Sequence, residues 1–255
     1  MSAMSARATD DSAPLLQTRN LALHAAGRCL VQGLNWQVRA GERWCVIGRN
    51  AAGKSTLLRA LAGLTVPSRQ GEVRWLGRPQ ADWPAADAAW ARAYAPQQAV
   101  DRFPLSVRRL LELSAVRPGA LKADAVLVAL DAQPLADRGV MQLSGGERQR
   151  IALAQCVLQG APLMLMDEPV SFQDPAHQAA VARWLAQLVA PGSDSALVLS
   201  AHDVNWIQRT ATHVLALIGD GSWRAGPCED LIDAALLSQV YGCDWREVGG
   251  FWLAK

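Results

Sequence analysis

The chain has 255 residues, 51% of them hydrophobic, and a formal net charge of only +2 at pH 7. That length holds one large α/β domain or two small ones with a sizeable core, and the near balance of charge gives no electrostatic case for nucleic acid as a partner. Five cysteines (29, 45, 156, 228 and 243) are scattered without a C-x-x-C pair, which argues against a zinc site and for reduced thiols in a cytoplasmic protein, with Cys45 and Cys156 in the core.

Residues 1–14 are rich in Ser, Ala and Asp and lack an apolar stretch, so they read as a disordered tail and not as a signal peptide. No run reaches the roughly 18 apolar residues needed to cross a bilayer. The ten tryptophans fall mostly singly beside strands or on helices, as packing residues do. Alternation over residues 15–23 predicts an opening strand, 24–29 a turn and 34–38 a second strand. The apolar run 44–47 predicts a strand that stops at Gly48, and a helix is expected from near Gly53 to Gly63. An edge strand is expected over 72–76. From Asp82 to about Asp137 alanine, leucine and prolines dominate and helical periods replace strands, which predicts an inserted helical subdomain over about 82–160. LSGGERQR (143–150) precedes an apolar helix ending at Gly160, and 163–166 has the uniform apolarity of a buried parallel strand. Beyond it come a helix over 176–189, a strand over 196–199, a helix over 204–210, a strand over 213–218 and a helical stretch over 228–241. Strands alternating with helices give an α/β protein with a mainly parallel sheet, a single domain over 15–250.

The chemistry starts at GRNAAGKST, residues 48–56, which carries the spacing G-x-x-x-x-G-K-S through Gly48, Gly53, Lys54 and Ser55. Glycines let the backbone wrap closely around phosphates, and the helix N-terminus behind them favours an anion. Lys54 reaches phosphate oxygens in such a loop, and the Ser55 hydroxyl holds Mg²⁺. This is a nucleotide-phosphate site. The strand ending in Asp167-Glu168 adds a carboxylate for Mg²⁺ (Asp167) and one to polarise an attacking water (Glu168). His202 ends the next strand. In an open parallel sheet ligands bind outside the carboxyl ends of strands, so His202, Asp167 and Gly48 are expected on one rim. Ser144, Gly145 and Gly146 stand directly before a helix and make a second anion-binding helix start. Two phosphate-gripping ends but one complete magnesium site predict two copies of the chain with nucleotide sandwiched between them.

GRNAAGKST, YAPQ, LSGGERQR, LMLMDEP, the QDP after it and AHD together resemble the ATP-binding subunits of ABC transporters, over nearly all of residues 15–242. The resemblance implies a P-loop NTPase (RecA-like) core with an antiparallel β-subdomain and the inserted helical subdomain. It also implies an ATPase using ATP and Mg²⁺, and a head-to-tail homodimer. Each ATP is then held by one subunit's Gly48, Arg49, Asn50, Ala51, Ala52, Gly53, Lys54, Ser55 and Thr56 and by Ser144, Gly145, Gly146 and Glu147 of the other. Gln97 is implied as the glutamine that senses Mg²⁺ and water, so that Ser55, Gln97 and Asp167 surround the metal while Glu168, His202 and Gln97 act in hydrolysis. Asp174 is implied in a loop crossing the dimer interface.

The sequence departs from the family at three places. Ala51 stands where a glycine is usual, which asks only for an allowed backbone angle. VSFQ (170–173) replaces a small-residue pattern that more often ends in Leu. The aromatic that usually stacks on adenine is absent, since His24-Ala25-Ala26 occupies its region, and His24 is the expected substitute. No membrane helices are fused to the cassette, which favours import over export. Residues 103–107 (FPLSV), AHDVNW and the closing LLSQVYGCDWREV resemble cassettes serving metal-chelate importers. The expectation is an importer of cobalamin, with haem or an iron-siderophore next; an iron–sulfur assembly ATPase is the competing class. The implied partners are integral-membrane permease subunits and, indirectly, a periplasmic or lipoprotein substrate-binding protein, and the implied location is peripheral, on the cytoplasmic face of the inner membrane. Phe103, Pro104 and Leu105 are expected in a groove that receives a short cytoplasmic helix of the permease.

Overall fold

The computed structural model describes residues 13–98, 104–117, 121–171 and 173–255. The expected tail falls almost wholly on residues 1–12, outside the described residues. The chain opens with a long antiparallel pair, β1 (Leu16–Ala25) and β2 (Arg28–Val38), joined by the tight turn Ala26-Gly27. Both turn residues have positive φ, 49° and 72°, as a two-residue hairpin requires. β2 begins earlier than the alternation suggested, because residues 28–33 pair with β1 through register shifts that break a simple period. After β3 (Arg43–Ile47) and α1 (Lys54–Leu61), β4 (Ser68–Trp75) returns to pair with β1, and β5 (Arg78–Pro79) adds to its free side. The first sheet is therefore antiparallel, in the order β2-β1-β4-β5.

Residues 82 onward are not wholly helical. α2 (Ala85–Ala91) runs into β6 (Arg92–Ala95), a strand pairing in parallel with β7 (Leu163–Met166) at the edge of the second sheet. Four residues with two alanines carry too short a pattern to reveal a strand, so the pairing is a tertiary effect. Helices α3 (Val107–Ser114), α4 (Ala123–Ala129) and α5 (Gly145–Leu158) follow. Beyond β7 come α6 (Pro175–Leu188), β8 (Ala196–Ser200), α7 (Val204–Thr210) and β9 (His213–Leu217). An unforeseen strand, β10 (Trp223–Pro227), pairs antiparallel with β9. The stretch expected as one helix over 228–241 divides into α8 (Cys228–Leu231) and α9 (Ala234–Tyr241), with Asp233 accepting the Leu236 N–H to start the second. A hairpin of β11 (Trp245–Val248) and β12 (Phe251–Ala254), also unforeseen, closes the chain.

The second sheet has the order β10-β9-β3-β8-β7-β6 and is parallel except for β10. Alternate residues feed two cores. Cys45, Ile47, Met164, Met166, Leu197 and Leu199 face the cluster built with α5, α6, α7 and α9. Trp44, Val46, Leu163, Leu165, Val198 and Leu215 face the cluster shared with α1 and the antiparallel sheet. Coverage on both faces explains the unbroken apolarity of these strands. α1 contributes fully buried Leu57, Leu58 and Leu61, each stabilising by about 1.5–3 kcal/mol, and this burial fixes the position of the loop before it. Cys45 and Cys156 are buried and all five cysteines are free thiols. Among the described residues no helix is long and apolar enough to cross a membrane.

Candidate active site

Because β3, β6, β7 and β8 run parallel, their carboxyl ends share one rim. β3 delivers Gly48, β6 delivers Gln97, β7 delivers Asp167 and Glu168, and β8 delivers Ser200 and His202. A cavity of about 640 Å³ opens there. It is lined by Asn50, Ala51 and Gly53 through Thr56 from the loop and α1, by Gln97, Glu168 and His202 from the strand ends, and by Ala25, Ala26, Arg28 and Leu30 from the first hairpin. The volume lies within the usual range for a small-molecule site.

The phosphate loop is shaped by close packing. A Cβ on Gly53, whose φ is 104°, would stand 2.9 Å from the Leu30 Cβ, and one on Gly48 would stand 3.1 Å from the Leu217 carbonyl oxygen. A side chain at Gly53 would force Leu30 to shift, and one at Gly48 would press tightly on β9. Ala51 also takes a left-handed angle, φ 61°, so the alanine costs more here than an ordinary backbone angle would. Lys54, only 6% exposed, donates from Nζ to the carbonyls of Gly48 (2.8 Å) and Arg49 (3.2 Å). Burial lowers its pKa, against the upward pull of Glu168, Asp167 and Cys45. Arg49 and Ala52 lie on a neighbouring cavity with Asp220.

Glu168 is the hub of the rim. Its Oε2 accepts from Gln97 Nε2 (2.8 Å) and Ser171 Oγ (2.9 Å), and its Oε1 lies 2.6 Å from His202 Nε2. Burial pushes its pKa up, but the Ser171 hydroxyl, the His202 ring and the Gln97 amide together outweigh burial and hold the carboxyl below the ordinary glutamate value. Its backbone is left-handed, φ 49°, a conformation rare for a residue with a side chain. Two residues that sequence reasoning did not single out secure it. Ser200, fully buried, accepts the Glu168 N–H (3.0 Å) and donates to Asp167 Oδ1 (2.6 Å), and Gln149 Nε2 donates to the Glu168 carbonyl (3.2 Å). Ser200 stood in view at a strand end, but only the parallel pairing of β7 with β8 gives it partners 32 and 33 residues away.

Ser55 and Gln97 line the cavity with hard oxygen donors, a hydroxyl and an amide carbonyl whose nitrogen is already committed to Glu168, while Asp167 is buried off the lining with Oδ1 accepting from Ser200. Among the described residues no cluster of three or more His, Cys, Asp or Glu side chains has the makings of a metal cage. One carboxylate with neutral oxygens, leaving other positions to phosphate and water, is the ligand habit of Mg²⁺, so the residues fit that ion.

The remaining expected site residues lie elsewhere. Ser144 caps α5, accepting the Glu147 N–H (3.4 Å), while Glu147 Oε2 accepts the Ser144 N–H (2.7 Å) and its Oε1 meets Arg138 Nη1 at 2.7 Å. Glu147 is thus committed to a capping box, its carboxyl lowered chiefly by the Ser144 N–H, and Gly145 and Gly146 keep the helix start free of side chains. Asp174 caps α6 through the N–H groups of Ala176 (2.9 Å) and His177 (3.1 Å). Neither Ser144 to Glu147 nor Asp174 lines the cavity that holds Lys54. His24 is not on that lining either; from the first turn come Ala25, Ala26 and Arg28, a residue sequence reasoning missed. Phe103 and Phe172 lie outside the described residues. A second cavity of about 450 Å³ beside Gln97 is lined by Tyr94, Pro96, Leu113, Val116 and Gln159 among others, and Pro104 and Leu105 are not part of it.

The ABC transporter family profile matches residues 31–171. The chain is 39% identical to the hemin import ATP-binding protein HmuV of Streptomyces coelicolor over 229 residues, 87% of this chain and 81% of that protein. It is 38% identical to the vitamin B12 import ATP-binding protein BtuD of Escherichia coli over 225 residues, 84% of this chain and 88% of that one. Its fold matches a metal-chelate type ABC transporter in an inward-facing conformation with a TM-score of 0.73 at 24% identity, covering 95% of this chain and 96% of that chain. It also matches a bacterial Atm1-family ABC exporter with ATP bound, with a TM-score of 0.75 at 24% identity, covering 89% of this chain and 41% of that one. The chain belongs to the ABC transporter family, as an ATP-binding, ATP-hydrolysing subunit.

Proposed function

We propose that the chain powers import of a metal chelate, working as a head-to-tail homodimer on the cytoplasmic face of the membrane beneath permease subunits. The observation that carries the dimer is the separation of the two anion-binding helix starts. The loop at Lys54 shares a cavity with Glu168, Gln97 and His202, whereas the start of α5 at Gly145 does not line that cavity. A second copy supplies the missing side. In the assembled site Lys54 turns from the loop carbonyls to phosphate oxygens, which favours its charged form. Glu168 accepts a proton from the attacking water, and His202 and Gln97 hold its carboxylate in line. Ser55, Asp167 and Gln97 would hold Mg²⁺, which would supply charge neutralisation at the phosphates. Arg28, planar and cationic, lines the same cavity and takes the base. A periplasmic or lipoprotein binding protein delivers the cargo to the permease.

The cargo class is supported by the relatives, which import hemin and vitamin B12. Cobalamin is the first candidate and haem the second. Two measurements test the reading. Glu168→Gln, which keeps shape but removes the base, is expected to lower kcat by about 10²–10⁴-fold and to accumulate as a dimer with ATP and Mg²⁺. A variant that stays monomeric and turns over normally refutes the site. Stimulation of the ATPase of the co-purified, reconstituted permease complex by cobalamin with its binding protein supports the first cargo; stimulation by hemin alone replaces it.

A further inference from the structure

We propose that His177 is a positioning residue that locks the two surfaces offered to a second copy, the start of α5 and the loop bearing Asp174, into one unit. The inference rests on the dimeric reading above. Asp174 divides its carboxylate: Oδ1 accepts the Ala176 and His177 N–H groups, while Oδ2 lies 2.6 Å from His177 Nδ1. On the opposite edge of the ring, Nε2 lies 3.2 Å from Arg150 Nη1, and Arg150 belongs to α5. The same Nη1 donates to the Asp131 carbonyl at 2.8 Å, just beyond α4, and the Asp131 carboxylate is 3.4 Å from Nε2. One imidazole thus joins the start of α6 to the helix whose N-terminus faces the partner's nucleotide.

The chemistry fixes the form of the ring. Arg150 can only donate, so Nε2 must offer a lone pair and the single proton must sit on Nδ1, directed at Asp174. The groups facing the ring are Asp131 after α4, Arg150 on α5 and Asp174 before α6. The link to α5 runs through the lone pair on Nε2 that Arg150 Nη1 meets at 3.2 Å. It is not needed to start α6, because Asp174 Oδ1 and Pro175 at the first helical position already do that. Loss of the imidazole leaves both helices capped but lets them shift relative to each other. Misplacement of groups by an ångström is enough to cost up to about 10²-fold in rate.

The test uses the full chain with the substitutions His177→Ala and His177→Gln, the latter keeping one donor and one acceptor. His177→Ala is expected to lower the kcat of ATP hydrolysis about tenfold, a misplacement effect, while ADP affinity, set within one subunit, changes less than twofold. His177→Gln is expected to recover most of the rate. In the Glu168→Gln background, His177→Ala is expected to raise the ATP concentration needed for dimerisation, followed by light scattering. The proposal is overturned if His177→Ala hydrolyses and dimerises as the parent does, or if both variants lose rate together with ADP affinity and melting temperature. If the Glu168→Gln chain itself never dimerises with ATP and Mg²⁺, the dimeric reading is what has failed, and this inference falls with it.

Discussion

Replacing Ser200 by Ala removes a single oxygen that holds two parts of the rim proposed for catalysis. The side chain has no exposed surface, accepts the Glu168 N–H at 3.0 Å and donates to Asp167 Oδ1 at 2.6 Å. Alanine leaves both partners in place without a replacement and opens too little space for water. A buried polar group left unpaired costs about 1–3 kcal/mol, more where it is charged. The expected loss is therefore about 2–4 kcal/mol, with the carboxylate carrying the larger share. For a domain of this length that corresponds to a fall in Tm of roughly 4–16 °C. The second consequence is catalytic. Glu168 sits at φ 49°, a left-handed angle costing about 1–2 kcal/mol, and persists there because Ser200 and Gln149 grip its N–H and carbonyl. With one grip gone the backbone relaxes and the carboxylate moves off the line set by Gln97 and His202, so kcat is expected to fall by about 10–10²-fold. Thermal melting by circular dichroism and steady-state ATP hydrolysis measure the two effects. A Ser200→Ala chain with unchanged Tm and unchanged kcat would refute the assignment of Ser200 as an anchor.

Two further outcomes follow from the same geometry. The folded-state pKa of Glu168 is depressed, so its contribution to stability is present above the unfolded value, about 4.3, and is lost as pH falls through the folded value. The stability difference between the parent and Glu168→Gln, measured by urea titration, should hold near neutrality and shrink below about pH 4; a difference unchanged down to pH 3 contradicts it. Ala51→Gly relieves a left-handed alanine in an exposed part of the loop, and against the entropy glycine adds to the unfolded chain the net gain is expected to be about 0.5–1 kcal/mol. A fall in Tm with this substitution would show that the loop's backbone is not strained at that residue.

The sequence by itself determined the phosphate loop, the apolar strand ending in Asp167-Glu168 and the helix start behind Ser144. In each case the chemistry is local: spacing along the chain fixes which N–H groups, hydroxyls and carboxylates stand together. It also determined that the strands alternate with helices, because a sheet covered on both faces writes unbroken apolar runs such as 163–166 and 196–199. What it did not reveal depends on partners far along the chain. β6 is four residues long and becomes a strand only against β7, and that pairing is what carries Gln97 to Glu168 across 71 residues. The final hairpin is held by Asn205, whose side chain bonds both the N–H (2.7 Å) and the carbonyl (3.0 Å) of Trp252, a contact with no trace in local pattern. The left-handed angles of Ala51 and Glu168 were likewise invisible, since residues other than glycine adopt them only when surrounding contacts impose them. Nothing in the sequence marks His177 out within the helix expected over 176–189. Only the approach of α5 to the start of α6 gives its two nitrogens opposite tasks, because one ring can serve a carboxylate and a guanidinium together when the fold sets them on opposite edges.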